Sequence, residues 1–238
     1  PMDKKFQPND IGRCELHLNY LEGVVVETAT DTYIDSWADQ SGNGLFAVAP
    51  ADGKRPSVST PPTGIVFDGS NDYFHIQTTT TQDDTSNKNP ITLSLSAGWT
   101  FIGIYTSDDW NGTVQAISGD PDGSRDFIRH NTNDTITVKS DNQSDIITLD
   151  TPSALTDSEF YLIEVSRAAD GATTVYINGT AQSDTESRSN AMIVEEIGGK
   201  GGGANMLDGK VKHVVLYNKI LTAAERTLLV EWSQQYIG

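Results

Sequence analysis

Apolar residues in this chain gather in short runs, and in several runs they alternate with polar ones. In "TTVYINGT", Val175 and Ile177 fall on one face of an extended segment, with Thr174 and Tyr176 on the other. In "KVKHVVLY", Val211, Val215 and Tyr217 fall on the face opposite Lys210 and Lys212. Alternation of this kind means one wet face and one buried face, as in an antiparallel sandwich. "FIGIY", Phe101 to Tyr105, is apolar throughout, which suits a strand at the centre of a sheet. The pattern predicts strands over 64–77, 99–106, 114–118, 127–130, 135–139, 160–166, 173–177, 191–197 and 210–217. Between them recur Asn-Gly, at Asn43, Asn111 and Asn178, and Asp-Gly, at Asp52, Asp68, Asp122, Asp170 and Asp208. These dipeptides accept the positive φ angles of tight turns. Nothing alternates strand with helix, so a parallel sheet is not expected.

One helix is expected, over 222–237 at the end of the chain. Thr222 and Glu225 form the S/T-x-x-E capping box, with Leu221 placed as a staple. Leu228, Leu229, Trp232 and Tyr236 then repeat at helical spacing, giving one stripe to lay against the sandwich. The glycine run "GGKGGGA" at 198–204 lacks the Ser/Thr after Lys that a phosphate loop requires.

Composition narrows the picture. The chain has 238 residues, enough for one large β domain, and no linker divides it. The formal net charge is -17, a surface that repels phosphate, so neither nucleic acid nor an anionic membrane is an expected partner. Cys14 is the single cysteine, which excludes an intrachain disulfide and reads as a small buried hydrophobe. The first ten residues have no apolar run of the secretory type, so the expectation is either folding in a cytoplasm or a leader missing from this sequence.

The histidines, His17, His75, His130 and His213, are scattered over different strands without ligand spacing, so no transition-metal site is expected. Sugar rings stack on exposed aromatics, and Trp110 stands out for this role in a polar loop beside Asp108 and Asp109. Trp37, Trp99 and Trp232 read as core.

Several motifs together carry a resemblance. "FQPNDIGRCELHLNY" opens the chain, "SWADQSGNG" follows, then "RPSV" and "GIVFDGSNDYFHI"; "YINGT", "IGG" and "LDGKVKHVVLYNKILTAAE" complete the order. This series resembles laminin-G-like, concanavalin A-like jelly-roll domains of bacterial and phage proteins. His17 and Asn19 stand where that family usually has Trp and Asp. The resemblance implies an all-β antiparallel jelly-roll sandwich with one C-terminal helix, as a single domain over 11–238 behind an arm of residues 1–10. It implies that both turn motifs serve folding first.

It also implies sites. Related domains hold calcium with loop carboxylates and carbonyls, which here points to Asp68, Asn71 and Asp72, with Asp39 or Asp208 as further candidates. Related glucanases carry a Glu-x-Asp-x-x-Glu strand, since a retaining mechanism needs paired carboxylates. Glu164 and Glu195–Glu196 lack that spacing, so the expectation is that the chain is not an enzyme. Stand-alone domains with this opening look like virion proteins of tailed bacteriophages. The leading expectation is therefore a capsid decoration protein made in the host cytoplasm, docked on a capsid or tail protein through Lys4, Lys5 and Phe6, with a homo-oligomer allowed. The alternative is a carbohydrate-binding module, such as a tail receptor-binding domain that meets a cell-surface glycan.

Overall fold

In the computed structural model, all residues are described except 1–4, 27–31, 60–62, 83–87, 111, 121–124, 134, 141–142, 150–154, 184, 188–189, 202–204 and 238. Lys4 and the turn residues Asn111 and Asp122 thus lie outside the described residues. Two antiparallel sheets, nine strands each among the described residues, enclose one core, as the alternation requires. The first runs Thr180–Ala181, Ala172–Ile177, Tyr161–Arg167, Trp99–Tyr105, Asp208–Tyr217, Ile65–Asp68, Ser57–Val58; Cys14–Asn19 also pairs with Asp208–Tyr217, and Glu186–Ser187 with Ala172–Ile177. The second runs Gln143–Thr148, Thr135–Ser140, Phe127–His130, Gln115–Gly119, Glu196–Ile197, Phe74–Gln77, Phe46–Val48, Ile34–Ala38, Val24–Val26.

Trp99–Tyr105 is buried along its whole length because both of its faces are covered. Phe101 and Tyr105 point between the sheets with Trp37, Phe67 and Phe74. Ile102 and Ile104 join a second apolar cluster on the outer face, with Leu162, Val215, Tyr217, Leu229 and Trp232. The cover on that side is the helix Ala223–Ser233. Thr222 accepts from the Glu225 amide, and the Glu225 carboxylate accepts from the Thr222 amide at 2.8 Å, the expected capping box. The stripe is narrower than expected. Leu229, Trp232 and Tyr236 are buried, but Leu228 is 43% exposed, and regular helix ends at Ser233.

The face assignment over 210–217 also needs correction. Val211 faces the main core, whereas Val215 and Tyr217 face outward under the helix. The pairing register slips between Val211 and His213, so an extra residue on this strand inverts the alternation from there on. By contrast, Val175 and Ile177 point to the core as expected, and the turn after them, at Asn178 (φ 50) and Gly179 (φ 83), is a tight hairpin. A Cβ on Gly179 would stand 2.6 Å from Val230, so the hairpin tip lies against the helix.

The motif "SWADQSGNG" shows its role in detail. The Trp37 indole N–H donates to the Asn19 carbonyl at 2.8 Å. Asp39 Oδ1 accepts from the amides of His17 and Ser41, both at 2.8 Å, and the Asn43 side chain donates to the carbonyls of Cys14 and Glu15. The Ser41 bond closes the turn on itself, and the others tie it to the first strand, joining the two sheets at that corner. Residues 5–10 also lie against the domain. Pro8 is buried, its carbonyl accepts from the Tyr217 hydroxyl at 2.8 Å, and Phe6 packs on the outer cluster. Of the residues expected to dock a partner, Phe6 is half-buried beside the chain's own helix and Lys5 is exposed. Among the described residues, no helix is long and apolar enough to cross a membrane.

Candidate functional site

The loops singled out by sequence meet at one end of the sandwich. Asp208 pairs with Asp68 across neighbouring strands, and its carbonyl accepts from the Asp108 amide at 2.8 Å. The loop of Asp108 and Asp109 therefore lies beside the turn of Asp68, Asn71 and Asp72. Burial, with help from the charges of Asp108, Asp68 and Asp109, pushes the Asp208 carboxyl above the usual range. A Cβ on Gly69 (φ 72) would meet Asp208 Cβ at 2.8 Å, so only glycine allows the two strand ends to close so tightly.

Within that end, Trp110 is not a sugar platform, and the expectation is corrected. It is 2% exposed. Its amide donates to Asp157 Oδ1 at 2.9 Å, and its ring packs on His130, Tyr105 and Tyr161 at centroid distances of 4.7, 5.3 and 6.0 Å. The indole is large enough to plug the end of the core, and the polar residues around it are its hydrogen-bonded collar. Asp108 Oδ1 accepts from the Ser158 hydroxyl, and Asp109 Oδ1 accepts from the Gly112 amide, so both acids organise the loop.

Asp68, Asn71 and Asp72 likewise form a turn. Asp68 Oδ1 accepts from the Ser70 and Asn71 amides, Asp72 Oδ2 accepts from the Asp68 amide, and the Asn71 side chain donates to the Gly53 carbonyl at 2.7 Å. Burial first, and the Asp68 charge second, raise the Asp72 carboxyl to about 7. Among the described residues, no group of three or more His, Cys, Asp or Glu side chains stands in metal-holding geometry. Oδ1 of Asp68 and Oδ2 of Asp72 are bonded to backbone amides, so both carboxylates organise the turn. Asp39 is also bonded in its own turn.

What the sequence reading missed is Tyr33. It lines a groove of about 360 Å³ with Asp52, Gly53, Arg55, Ser57, Asp68, Asn71 and Asp72, and is itself 50% exposed. The Arg55 guanidinium lies 5.6 Å from the ring centroid and is fixed by Asp35 at 2.9 Å. A ring edged by hydrogen-bonding side chains is the arrangement that Trp110 was expected to supply. The available signal was alternation at the strand's start: Ile34 and Ser36 are buried, and Tyr33 falls with the half-buried Asp35 on the wetter face. The neighbouring groove of about 410 Å³, lined by Asp68, Gln115, Asn205 and Asp208, has no aromatic wall. The three glutamates considered for catalysis all face a cation or an imidazole. Glu164 is bidentate with Arg226, Glu195 stands 2.9 Å from Lys88, and Glu196 stands 3.2 Å from His75.

Against known proteins, the profile of the laminin G-like group within the concanavalin A-like lectin/glucanase superfamily matches residues 68–225, more than half of the chain. No curated protein matches in sequence. Among solved structures, Trypanosoma rangeli sialidase in complex with 2,3-difluoro-KDN is similar with a TM-score of 0.59 at 17% identity, over 96% of this chain and 34% of that one. The botulinum neurotoxin serotype D binding domain is similar with a TM-score of 0.63 at 13% identity, over 94% and 52%. The receptor binding domain of the botulinum neurotoxin C/D mosaic serotype gives 0.62 at 13% identity, over the same shares. The chain thus spans about a third of the sialidase's length and about half of each toxin structure. At these identities the likeness is one of fold.

The matches correct the expectation that the chain is not an enzyme. The same fold forms part of a sialidase chain, so the missing Glu-x-Asp-x-x-Glu strand is no ground for that exclusion. The two-sheet sandwich, its motifs in order and the profile match lead to one conclusion: this chain belongs to the concanavalin A-like lectin/glucanase superfamily.

Proposed function

We propose that this domain is a carbohydrate-recognition module that binds sugar in the Tyr33 groove. The observation that carries the reading is the half-exposed Tyr33 ring at the wall of a groove lined by Asn71, Ser57, Asp72 and Arg55. Sugars offer apolar C–H faces to rings and hydroxyls to carboxylates and amides, and this groove supplies both kinds of partner. Its three carboxylates, Asp52, Asp68 and Asp72, and the net charge of -17 select against acidic sugars. The ligand class is accordingly a neutral or amino sugar. The lectin-like fold and the toxin binding domains that share it support recognition as the role.

A glycan array tests this directly, with wild type and Tyr33→Ala, each in calcium and in chelator. The expected result is a coherent set of neutral or amino sugars bound by wild type, lost in Tyr33→Ala and indifferent to chelator. A blank array, or a set that Tyr33→Ala retains, contradicts the reading.

A further inference from the structure

His17 and His213 stand on neighbouring strands of the outer face, beneath the terminal helix, and are 2% and 0% exposed. Their rings are 5.7 Å apart at 27°. Trp232 closes over His213 at 4.6 Å and Tyr236 at 4.3 Å, with Tyr20 at 6.1 Å on the side. All four ring nitrogens, and the Trp232 indole nitrogen, are buried without a hydrogen-bond partner among the described residues. A buried imidazole in this setting is tolerable only while neutral, and two of them so close cannot both be charged without repulsion.

We propose that the C-terminal half of the helix is an acid-released latch: when it lifts, His17 and His213 become free to take up protons, so acidification drives it off the outer face of the first sheet. Burial holds His17 down to about 4 and His213 well below the ordinary value near 6.5. The lifted form rehydrates both rings, which then titrate near 6.5. Between those values the lifted form binds protons that the closed form cannot, so the closed form loses ground as pH falls.

The surrounding groups do not cancel the effect. The Asp39 carboxylate opposes burial at His17 but is the smaller influence, and Lys212 works with burial at His213. The Leu18 carbonyl favours protonated His213 without meeting hydrogen-bond geometry. The phenols of Tyr20 and Tyr236 and the Cys14 thiol are all pushed up by burial and stay neutral throughout, and Glu22 acts on Tyr236. The Arg226–Glu164 and Lys219–Glu225 pairs hold the first turn, so the helix pivots there. Lifting uncovers Ile104, Leu162, Val215 and Tyr217, an apolar surface otherwise hidden.

Hydrogen exchange of the whole chain at pH 7.5 and 5.0, corrected for the intrinsic rate, tests this. Two histidines released over this range lower the protection of the amides at 229–233 on the order of a thousand-fold. Protection in Trp99–Tyr105 should change far less. The double variant His17→Leu/His213→Leu should be flat, and His17→Gln or His213→Gln alone should retain roughly thirty-fold, which decides the matter if the double variant does not fold. Unchanged protection in wild type, an equal loss in Trp99–Tyr105, or a full response in the variants would overturn the latch.

Discussion

Trp110 and Tyr33 make a useful pair, since both are aromatic residues set among polar neighbours. One is 2% exposed and the other 50%. The difference comes from what packs on each ring, since Asp68, Asn71 and Asp72 beside Tyr33 are also bonded to backbone groups. Around Trp110, Asp157, Asp109 and Asp108 turn inward to backbone amides and a hydroxyl, closing the loop over the ring. Around Tyr33, the polar groups line a groove, and the ring is braced at one side by a single guanidinium. Local polarity therefore does not predict exposure; the packing on the ring does, with His130, Tyr105 and Tyr161 closing over Trp110 while Tyr33 stands at a groove wall. Trp110 is accordingly a folding residue, and Tyr33 is the residue proposed for recognition.

Substitutions can break that contrast. The largest effect belongs to Trp110→Ala, which should cost about 3–5 kcal/mol in denaturant unfolding, as for other buried indoles. A cost below about 1 kcal/mol would mean that the ring is not a core plug. Asp157→Ala leaves the Trp110 amide without its acceptor and should cost about 1 kcal/mol on the same assay. At the groove, Asp72→Asn gives a pH-dependent result. The native carboxyl titrates near 7 and the unfolded one near 3.8, so the native state holds a proton that the unfolded chain has lost between those values. Wild-type stability from this group therefore falls as pH rises through that window. The amide removes the penalty, so the variant should gain up to about 1 kcal/mol at pH 8, discounted for solvent screening, and nothing near pH 4. A gain that is equal at both pH values would put the cause elsewhere. The smallest effect on stability is that of Tyr33→Ala, within about 0.5 kcal/mol.

Much of the sandwich was legible because its signals are local. Val175 and Ile177 alternate cleanly and end in an Asn-Gly turn, and Thr222 with Glu225 marks the helix start without reference to anything distant. The face of Val215 was not legible, because the bulge near His213 arises from pairing with Trp99–Tyr105, far away in sequence. Short strands such as Phe46–Val48 and Val24–Val26 carry too few residues for a period to show. The candidate site follows the same rule. Asp68, Asn71 and Asp72 were visible as a turn, but the groove they share with Tyr33 and Arg55 is assembled by strand order. Similarly, His17 and His213 are 196 positions apart, and only the pairing of the first strand with Asp208–Tyr217 places them face to face.

The central claim is that sugar is read at Tyr33, and affinity is its most direct test. With a neutral or amino sugar selected on the array, calorimetric titration of wild type, Tyr33→Ala and Asp157→Ala at neutral pH should separate recognition from folding. The account predicts that Tyr33→Ala weakens binding by at least about tenfold, or about 1.4 kcal/mol, at unchanged stability, while Asp157→Ala binds as wild type does. Equal affinity in wild type and Tyr33→Ala would contradict it and move the site away from this groove.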